Sequence, residues 1–486
     1  MALRITNGMM VNNSIANIAI NKSQMNTLDK QLSSQKKISR PSEDPIVALR
    51  ALRLRTSLAE AEQYLDRNIP DAVSWLEVTE GALQEANTVL ESIYQLCVQG
   101  STDTFSTDQR DIIVENLEQY KKTLYDQGNV DYAGRYCFTG YKTDSALTIS
   151  TVEETNRHYT ITEPLSNEFF DTKVIVKDPV DENTVQNIAL ADNPQVLGVR
   201  RIRLAYDNLD NMALDGIKYN GGNDTVAVTT VSYANPAAYE PAPGTVNFIP
   251  ETGELIFAED VYEQLKTVDD MTITYDKTGF RTGEVKPEHY FTCVDNTNNK
   301  TYVKDQKGQD IEYQINFGQT IKVNTEACDS LDYRMARDID ELSEAVQSVI
   351  DIEAKLKKLE AMKSDMAYSS PADQASIDSM IVAANKERDI LSDAMQKTFE
   401  KGVTKCQNHQ QTISSAIADI GNREVRVNLT KNRLTEQTTN FEELKSNNED
   451  IELEEVVINY SAAEVVYNAS LTSAGKVVRQ SLLDFI

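Results

Sequence analysis

The sequence predicts a mainly α-helical protein with a β-rich insert, and three observations predict it. Apolar residues recur every seven positions near the start of the chain and again near its end. Between residues 141 and 330 the pattern changes to short β-branched and aromatic runs separated by turn-formers. At 486 residues and a mean hydropathy of −0.45, the chain is too long and too polar for a single hydrophobic core, so two to four domains are expected.

The first helix is read from Val11, Ile18, Met25 and Leu32, with Ile15 and Leu28 beside that seam. The stripe is narrow, the pattern of a coiled coil rather than of a globular core helix. Pro41 interrupts it, and Asp44 and Pro45 supply a cap and a first-turn proline for the next helix. Leu76, Leu83, Leu90 and Cys97 form a further seam that stops at Gly100, with the lone Trp75 as a packing anchor. Ser106 to Gln109 reads as a capping box opening a helix with Ile113, Leu117, Tyr120 and Leu124 on one face.

In the insert, runs such as "HYTITEPL", "ELIFAE" and "MTITY" alternate with Asn220-Gly221-Gly222-Asn223, Pro250-Glu251-Thr252-Gly253 and Lys277-Thr278-Gly279. Short strands between such turns predict antiparallel β structure. "QVLGVRRIRLAYDNLDN" fits a helix or a strand equally well. From about Asp332 the chain turns helical again, with Ser370-Pro371 as cap and first-turn proline between two long helices. Ile413, Ile420, Val427, Leu434 and Phe441 repeat the heptad. The register slips beyond Asn447, and Leu453, Tyr460, Tyr467 and Ala474 restore it toward the apolar end "SLLDFI". Seams this thin bury little within one chain, so the two ends are expected to pair and to need further partners.

Charge excludes some functions. The formal net charge of −28 argues against nucleic acid, whose phosphates need a basic face. The charge is uneven: residues 1–60 hold nine Lys/Arg against four Asp/Glu, and residues 141–330 hold 16 against 31. No run reaches the ~20 apolar residues that cross a bilayer, and residues 1–19 lack the features of a cleaved Sec-type signal. Five cysteines at irregular spacing are not a disulfide framework. By these rules alone the chain reads as cytosolic.

No site chemistry emerges. Phosphate-loop, dinucleotide, serine-hydrolase and zincin patterns are absent, and His158, His289 and His409 lie in separate contexts. Cys406 and His409 have a metal-like spacing without a second ligand pair, and read as helical surface residues. Neither a catalytic residue nor a metal or cofactor site is expected.

At its termini the sequence resembles a known family. "MALRITNGMMVNNSIANIAINKSQMNTLDKQLSSQKKISRPSEDPIVALRAL" and "DAVSWLEVTEGALQEANTVLESIYQLCVQG" are similar to the N-terminal part of bacterial flagellin-like proteins. "GRYCFTGYKT" (Gly134 to Thr143) and "SLLDFI" resemble the hook-associated junction proteins within them more than flagellins, which usually carry Phe-Asn-Gly at the former point. "IADIGNREVRVNLTKNRLTEQ" resembles the same family's returning helix. The resemblance covers roughly residues 1–143 and 410–486. Gln35 departs from it, standing where the family commonly has glycine, and residues 335–405 are longer than its helical return, which predicts an extra helical hairpin.

The resemblance implies a structural subunit without enzyme activity, shaped as a rod of N- and C-terminal helices in antiparallel coiled coil with an outer β-rich domain. Residues 1–43 and 441–486 would be inner-core helices, disordered in the monomer. Residues 44–140 and 331–440 would be the two halves of the rod, and 141–330 the exposed insert. Implied partners are a hook-associated protein on the hook side, flagellin on the filament side, further copies in a helical assembly, and a type III export chaperone. The subunit would be extracellular, exported without a cleaved signal. The assembly interface would comprise Ile15, Ile18, Met25, Leu28 and Leu32 with Tyr460, Tyr467, Leu471, Leu482, Leu483 and Phe485, and the basic hinge Arg40, Asp44 and Arg50. Rival readings are a flagellin, which would polymerise alone, a secreted enzyme on a flagellin-like stalk, active in residues 141–330, and a helical adhesin with termini ordered in the monomer.

Overall fold

The structure, a computed structural model, describes residues 7–102, 107–188, 193–210, 212, 216–304 and 308–483. It is mainly helical, with long helices at both ends and a β-rich middle. The chain divides into two compact units. One comprises Met1–Asp71, Tyr313–Ile321 and Arg426–Ile486; the other comprises Ala72–Glu312 and Lys322–Val425.

In the unit that holds both chain ends, α1 (Asn7–Ser34) packs along α11 (Leu453–Leu483). Asn21 donates to Ser470 and Lys36 bridges Asp450, so the two run antiparallel. Between α1 and α2 (Pro45–Gln63) the chain turns as Pro41 and Asp44 predict. The Asp44 carboxylate accepts from the amides of Ile46 (2.9 Å) and Val47 (3.2 Å). A π-turn at Tyr64–Asn68 then leads into α3 (Ile69–Gly100), just before Pro70, which has no N–H to give.

Gln35 ends α1 with φ +55°, in the left-handed region where glycine is at ease. Its carbonyl accepts from Ile451, so the strain sits at the junction of the two terminal helices. Gln35→Gly is expected to stabilise this junction by about 0.5–1 kcal/mol, after the extra unfolded-state entropy of glycine is set against the relieved strain. Hydrogen exchange should show amides of residues 28–36 protected about two- to fivefold more.

In the other unit, α3 buries Leu76, Leu83, Leu90, Cys97 and Trp75, as their spacing predicts. The helix α4 (Thr107–Asp126) starts at the expected point, although its expected cap Ser106 lies outside the described residues. A two-strand clasp, β1 (Asp131–Tyr132) and β2 (Arg135–Tyr136), follows. Four helices of one or two turns stud the insert: α5 (Val152–Thr155), α6 (Glu259–Leu265), α7 (Pro287–Tyr290) and α8 (Ala327–Ser330).

The insert is built on two sheets. The first holds β4 (Asp171–Lys177), β5 (Gln195–Arg203), β8 (Val228–Thr230), β9 (Val246–Ile249) and β10 (Glu254–Phe257), in the order β4-β5-β10-β9-β8. All its pairings are antiparallel except β8 with β9. The second holds β3 (Tyr159–Leu165), β6 (Ile217–Tyr219), β7 (Asp224–Val226), β11 (Met271–Lys277), β12 (Thr292–Asp295) and β13 (Lys300–Tyr302). Its order is β13-β12-β3-β11-β6-β7, antiparallel throughout. Two of the predicted turns, 220–223 and 250–253, fall where strands reverse, β6 to β7 and β9 to β10; the third does not, since Lys277 is the last residue of β11 and the next strand, β12, runs in the same direction on the far side of β3. At Gly253 (φ +65°) a Cβ would meet the Tyr206 carbonyl at 2.0 Å, so only glycine fits. A separate hairpin, β14 (Glu312–Asn316) and β15 (Gln319–Lys322), comes next in the chain, and most of it, Tyr313–Ile321, belongs to the unit that holds the chain ends.

The helices α9 (Arg334–Ser364) and α10 (Pro371–Glu449) reverse through a tight turn, with Ser370 and Pro371 at the start of α10 as predicted. They form the expected extra helical hairpin. Ile352, Leu356 and Leu359 of α9 share a core with Met380, Ala383 and Ala384 of α10 and with Val180 of the insert.

A buried ionic lattice joins the first sheet to these helices. Arg201, 1% exposed, pairs with Glu254 and Glu341 and lies 3.3 Å from Asp171. Arg203 bonds Asp338 at 2.7 Å, Lys405 bonds Asp338 at 2.8 Å, and His409 sits 2.9 Å from the same carboxylate. Cys406 is buried and His409 half-buried on that carboxylate, correcting the expectation that both lie on the helical surface.

The second sheet carries a buried acid at an inward position. Glu163 of β3 accepts from the hydroxyls of Tyr275 (2.6 Å) and Tyr333 (3.2 Å) and from the Ala205 amide (3.1 Å). Burial pushes its carboxyl up to about 7 against the pull of those three donors. A folded-state value raised above the unfolded one contributes stability that is full below about pH 4.5 and lost as pH rises through about 7. The protein should therefore lose on the order of 2–3 kcal/mol from pH 5 to pH 8 through this group. Glu163→Gln should remove that part of the slope in urea denaturation at the two pH values, since the tyrosine hydroxyls can turn to accept from the amide.

Candidate assembly surface

On α1 the half-buried positions Val11, Ser14, Ile18, Asn21, Met25, Leu28 and Leu32 are spaced alternately by three and four, with Gln31 half-buried beside the last. Facing them, α11 turns inward Val456, Tyr460, Ala463, Tyr467, Ser470 and Ala474, in the same alternation. This is a heptad seam, with one polar pair in it: Asn21 donates to the Ser470 hydroxyl at 2.7 Å. Leu453, which the spacing places in the seam, is exposed; the inward register starts instead at Val456, because α10 ends at Glu449 and the chain re-enters helix out of phase.

The open end of the seam is pinned by charge. Glu449, nearly buried, takes two bonds from the Arg55 guanidinium, at 2.7 and 2.6 Å. Lys36 pairs with Asp450 and lies 3.5 Å from Glu449. The Arg55 contact, ahead of a weaker burial effect, holds the Glu449 carboxyl below its usual range. The Lys37 amide donates to the Glu449 carbonyl at 2.7 Å, tying the α1 exit to the α11 entry. In the predicted hinge, Asp44 caps α2, while Arg40 and Arg50 are exposed.

The predicted interface residues thus separate into three groups. Ile18, Met25, Leu28, Leu32, Tyr460 and Tyr467 meet in the seam within the chain. Ile15 (59% exposed) and Leu471 (43%) point away from it. Leu482 and Leu483 continue the α11 backbone with side chains outside the described residues, and Phe485 lies outside them altogether. The spacing did not single out Ile20, Ile458, Val465 and Val466, which are as exposed as Ile15. Their signal was available: each is an apolar residue off the heptad seam of a helix that has no other core. Large apolar side chains concentrated on a helix pair mark a contact surface.

The clasp carrying "GRYCFTG" lies in the other unit. Ala133 and Gly134 both have positive φ, the two-residue turn that matches strand twist. Tyr132 meets the Trp75 ring edge-on at 6.0 Å, and the Arg135 guanidinium lies 5.0 Å above that ring. Cys137 and Phe138 are buried below. This motif packs the end of the N-terminal helical region against α3. Residues 5–143, which it closes, match the bacterial flagellin N-terminal helical region.

The N-terminal region of this chain is flagellin-like. Over 146 residues the chain is 30% identical to flagellar hook-associated protein 3 of Salmonella typhimurium, an alignment covering 30% of this chain and 45% of that protein. It is 29% identical over 146 residues to flagellar hook-associated protein 3 of Escherichia coli, with the same coverage. Against the flagellin of Clostridium tyrobutyricum it is 29% identical over 115 residues, 24% of this chain and 30% of that one. The chain thus matches less than half the length of these relatives. The flagellin-like region holds α1 to α4 and the clasp, and α1 is the helix that pairs with α11.

Among the described residues no group of three or more His, Cys, Asp or Glu could hold a metal ion. No helix among them is long and apolar enough to cross a membrane.

Proposed function

We propose that this protein is a structural adaptor of the bacterial flagellum, joining the hook to the flagellin filament. The observation that carries the proposal is the flagellin-like region closed by the "GRYCFTG" clasp, whose longer alignments are to proteins named flagellar hook-associated protein 3. In this reading the α1–α11 pair is the inner part of the subunit. Its thin seam leaves the outer faces of both helices apolar, which supports docking on neighbouring subunits: a hook-associated protein on the hook side, flagellin on the other, and further copies around a helical assembly. The two helices would order on assembly, so that the folding cost is met by contact with neighbours. An export chaperone would cover α11 beforehand, and the chain would leave the cell unfolded through the flagellar export channel. The acidic β-rich insert would face outward, where its charge keeps it soluble.

Immunogold labelling of sheared flagella with antibody against residues 141–330 tests this. A single band where hook meets filament is expected. Label along the whole filament would make the protein a flagellin, and no label would return it to the adhesin or enzyme reading.

A further inference from the structure

The insert carries a cavity of about 370 Å³ lined in part by Lys142, Arg157, Lys286, Lys300 and Tyr302. Its charge runs against that of the molecule. Lys286 is neutralised by Glu154 at 2.6 Å, and that contact, with amide bonds from Ser150 and Thr151, outweighs burial and draws the Glu154 carboxyl down to about 2. Glu288 is occupied by the Ser145 and Tyr159 hydroxyls, each at 3.2 Å, and Asp144 is exposed at the rim.

Two ammonium groups remain on one ring. Lys142 lies 4.0 Å and Lys300 4.9 Å from the centroid of Tyr302, which puts them at most about 9 Å apart. Among the described residues neither pairs with a carboxylate; Lys142 donates to the Glu288 carbonyl at 2.7 Å. Arg157 donates to the Tyr159 hydroxyl at 3.2 Å and keeps its other donors. Two other effects point the same way. Burial lowers the Lys142 ammonium against the opposing pull of the Glu288 carboxylate, and Lys300 and Lys304 add to the lowering. Burial, and then Lys142, drives the neighbouring His289 down to about 3, leaving a neutral ring whose Nδ1 has no partner. Like charges held against one ring, Lys142 half-buried and Lys300 exposed, are stabilised by an anion that both can reach.

We propose that this cavity is a binding site for a single oxyanion, a carboxylate, sulfate or phosphate, gripped by Lys142, Lys300 and Arg157. The oxyanion comes either as a free ion or as the charged group of an acidic sugar, for which the volume suffices.

Calorimetric titration of the full chain with inorganic phosphate, glucuronate and glucose tests the site. Phosphate and glucuronate should bind and glucose should not, and both Lys300→Ala and Lys142→Met should weaken binding about tenfold. Glucuronate binding about tenfold tighter than phosphate supports the site with a sugar as the source; phosphate at least as tight supports it with the free ion. No binding of either anion at about 20 mM overturns the proposal, as does undiminished binding by Lys300→Ala, which alters an exposed side chain and should fold normally.

Discussion

Replacing Arg201 by alanine is expected to lower the stability of the unit that holds the β-rich insert by about 3–5 kcal/mol. Arg201 sits on β5 at an inward position, 1% exposed, among Glu254 of β10, Glu341 of α9 and Asp171 of β4. Without it, Glu254 keeps Lys173 at 2.9 Å and the Tyr239 hydroxyl at 2.9 Å, yet remains a buried carboxylate short of one of its two counter-charges. Glu341 keeps Arg203 at 3.1 Å and Lys405 at 3.2 Å. The partial rescue makes the prediction divisible. Removing Glu254 as well, as Arg201→Met with Glu254→Gln, should restore at least about 1 kcal/mol, because the second change removes the stranded charge. Urea denaturation followed on the β-sheet signal reads both. A loss below about 1 kcal/mol for Arg201→Ala would mean that Arg203 and Lys405 can neutralise the site alone, and that the lattice does not fix the sheet on α9 and α10.

The same lattice explains what could and could not be read in the sequence. The helices were legible because their inward residues are apolar: Leu76, Leu83 and Leu90 on α3, Ile413, Ile420, Val427 and Leu434 on α10, all buried. Their limits were legible through local chemistry, as at Asp44-Pro45 and Ser370-Pro371. The strand β5 was not. In "QVLGVRRIRL" the alternation that marks a half-buried strand is filled by Arg201 and Arg203, whose inward placement depends on carboxylates more than 30 residues away. β3 and β11 were legible despite the inward Glu163 and Lys277, because Tyr159, Ile161, Met271, Ile273 and Tyr275 keep the rest of the inward alternation apolar or aromatic. Cys406 and His409 were misread for a reason related to that of β5, since a helix facing an ionic core looks polar on the side it buries. At the assembly surface the heptad and its pairing with the other chain end were both legible, but not the exact register or which apolar residues the seam leaves out. That the seam leaves Ile15 and Leu471 free follows from a fold that brings residues 21 and 470 together.

That distinction sets the second large effect. Ile15→Asp with Val465→Asp alters two residues of the terminal unit that are 59% and 69% exposed within the chain. Surface changes of this kind should move folding stability by less than about 0.5 kcal/mol each. If the outer faces of α1 and α11 are buried against neighbouring subunits, each new carboxylate would be desolvated without a partner, at a cost of about 3 kcal/mol, or roughly 100-fold in affinity. Motility and junction labelling should then be lost while the circular dichroism of the purified protein stays unchanged. Ile18→Asp makes the contrast. It lies in the seam, half-buried against α11, so it should keep the two chain ends from pairing when the subunit assembles. Assembly lost with Ile18→Asp but retained with the double surface variant would mean that neighbours contact the subunit elsewhere, with the pair serving only to hold its own two ends together. Loss in both cases gives the two faces separate tasks: the heptad seam closes the subunit on itself, and the exposed apolar face joins it to the next.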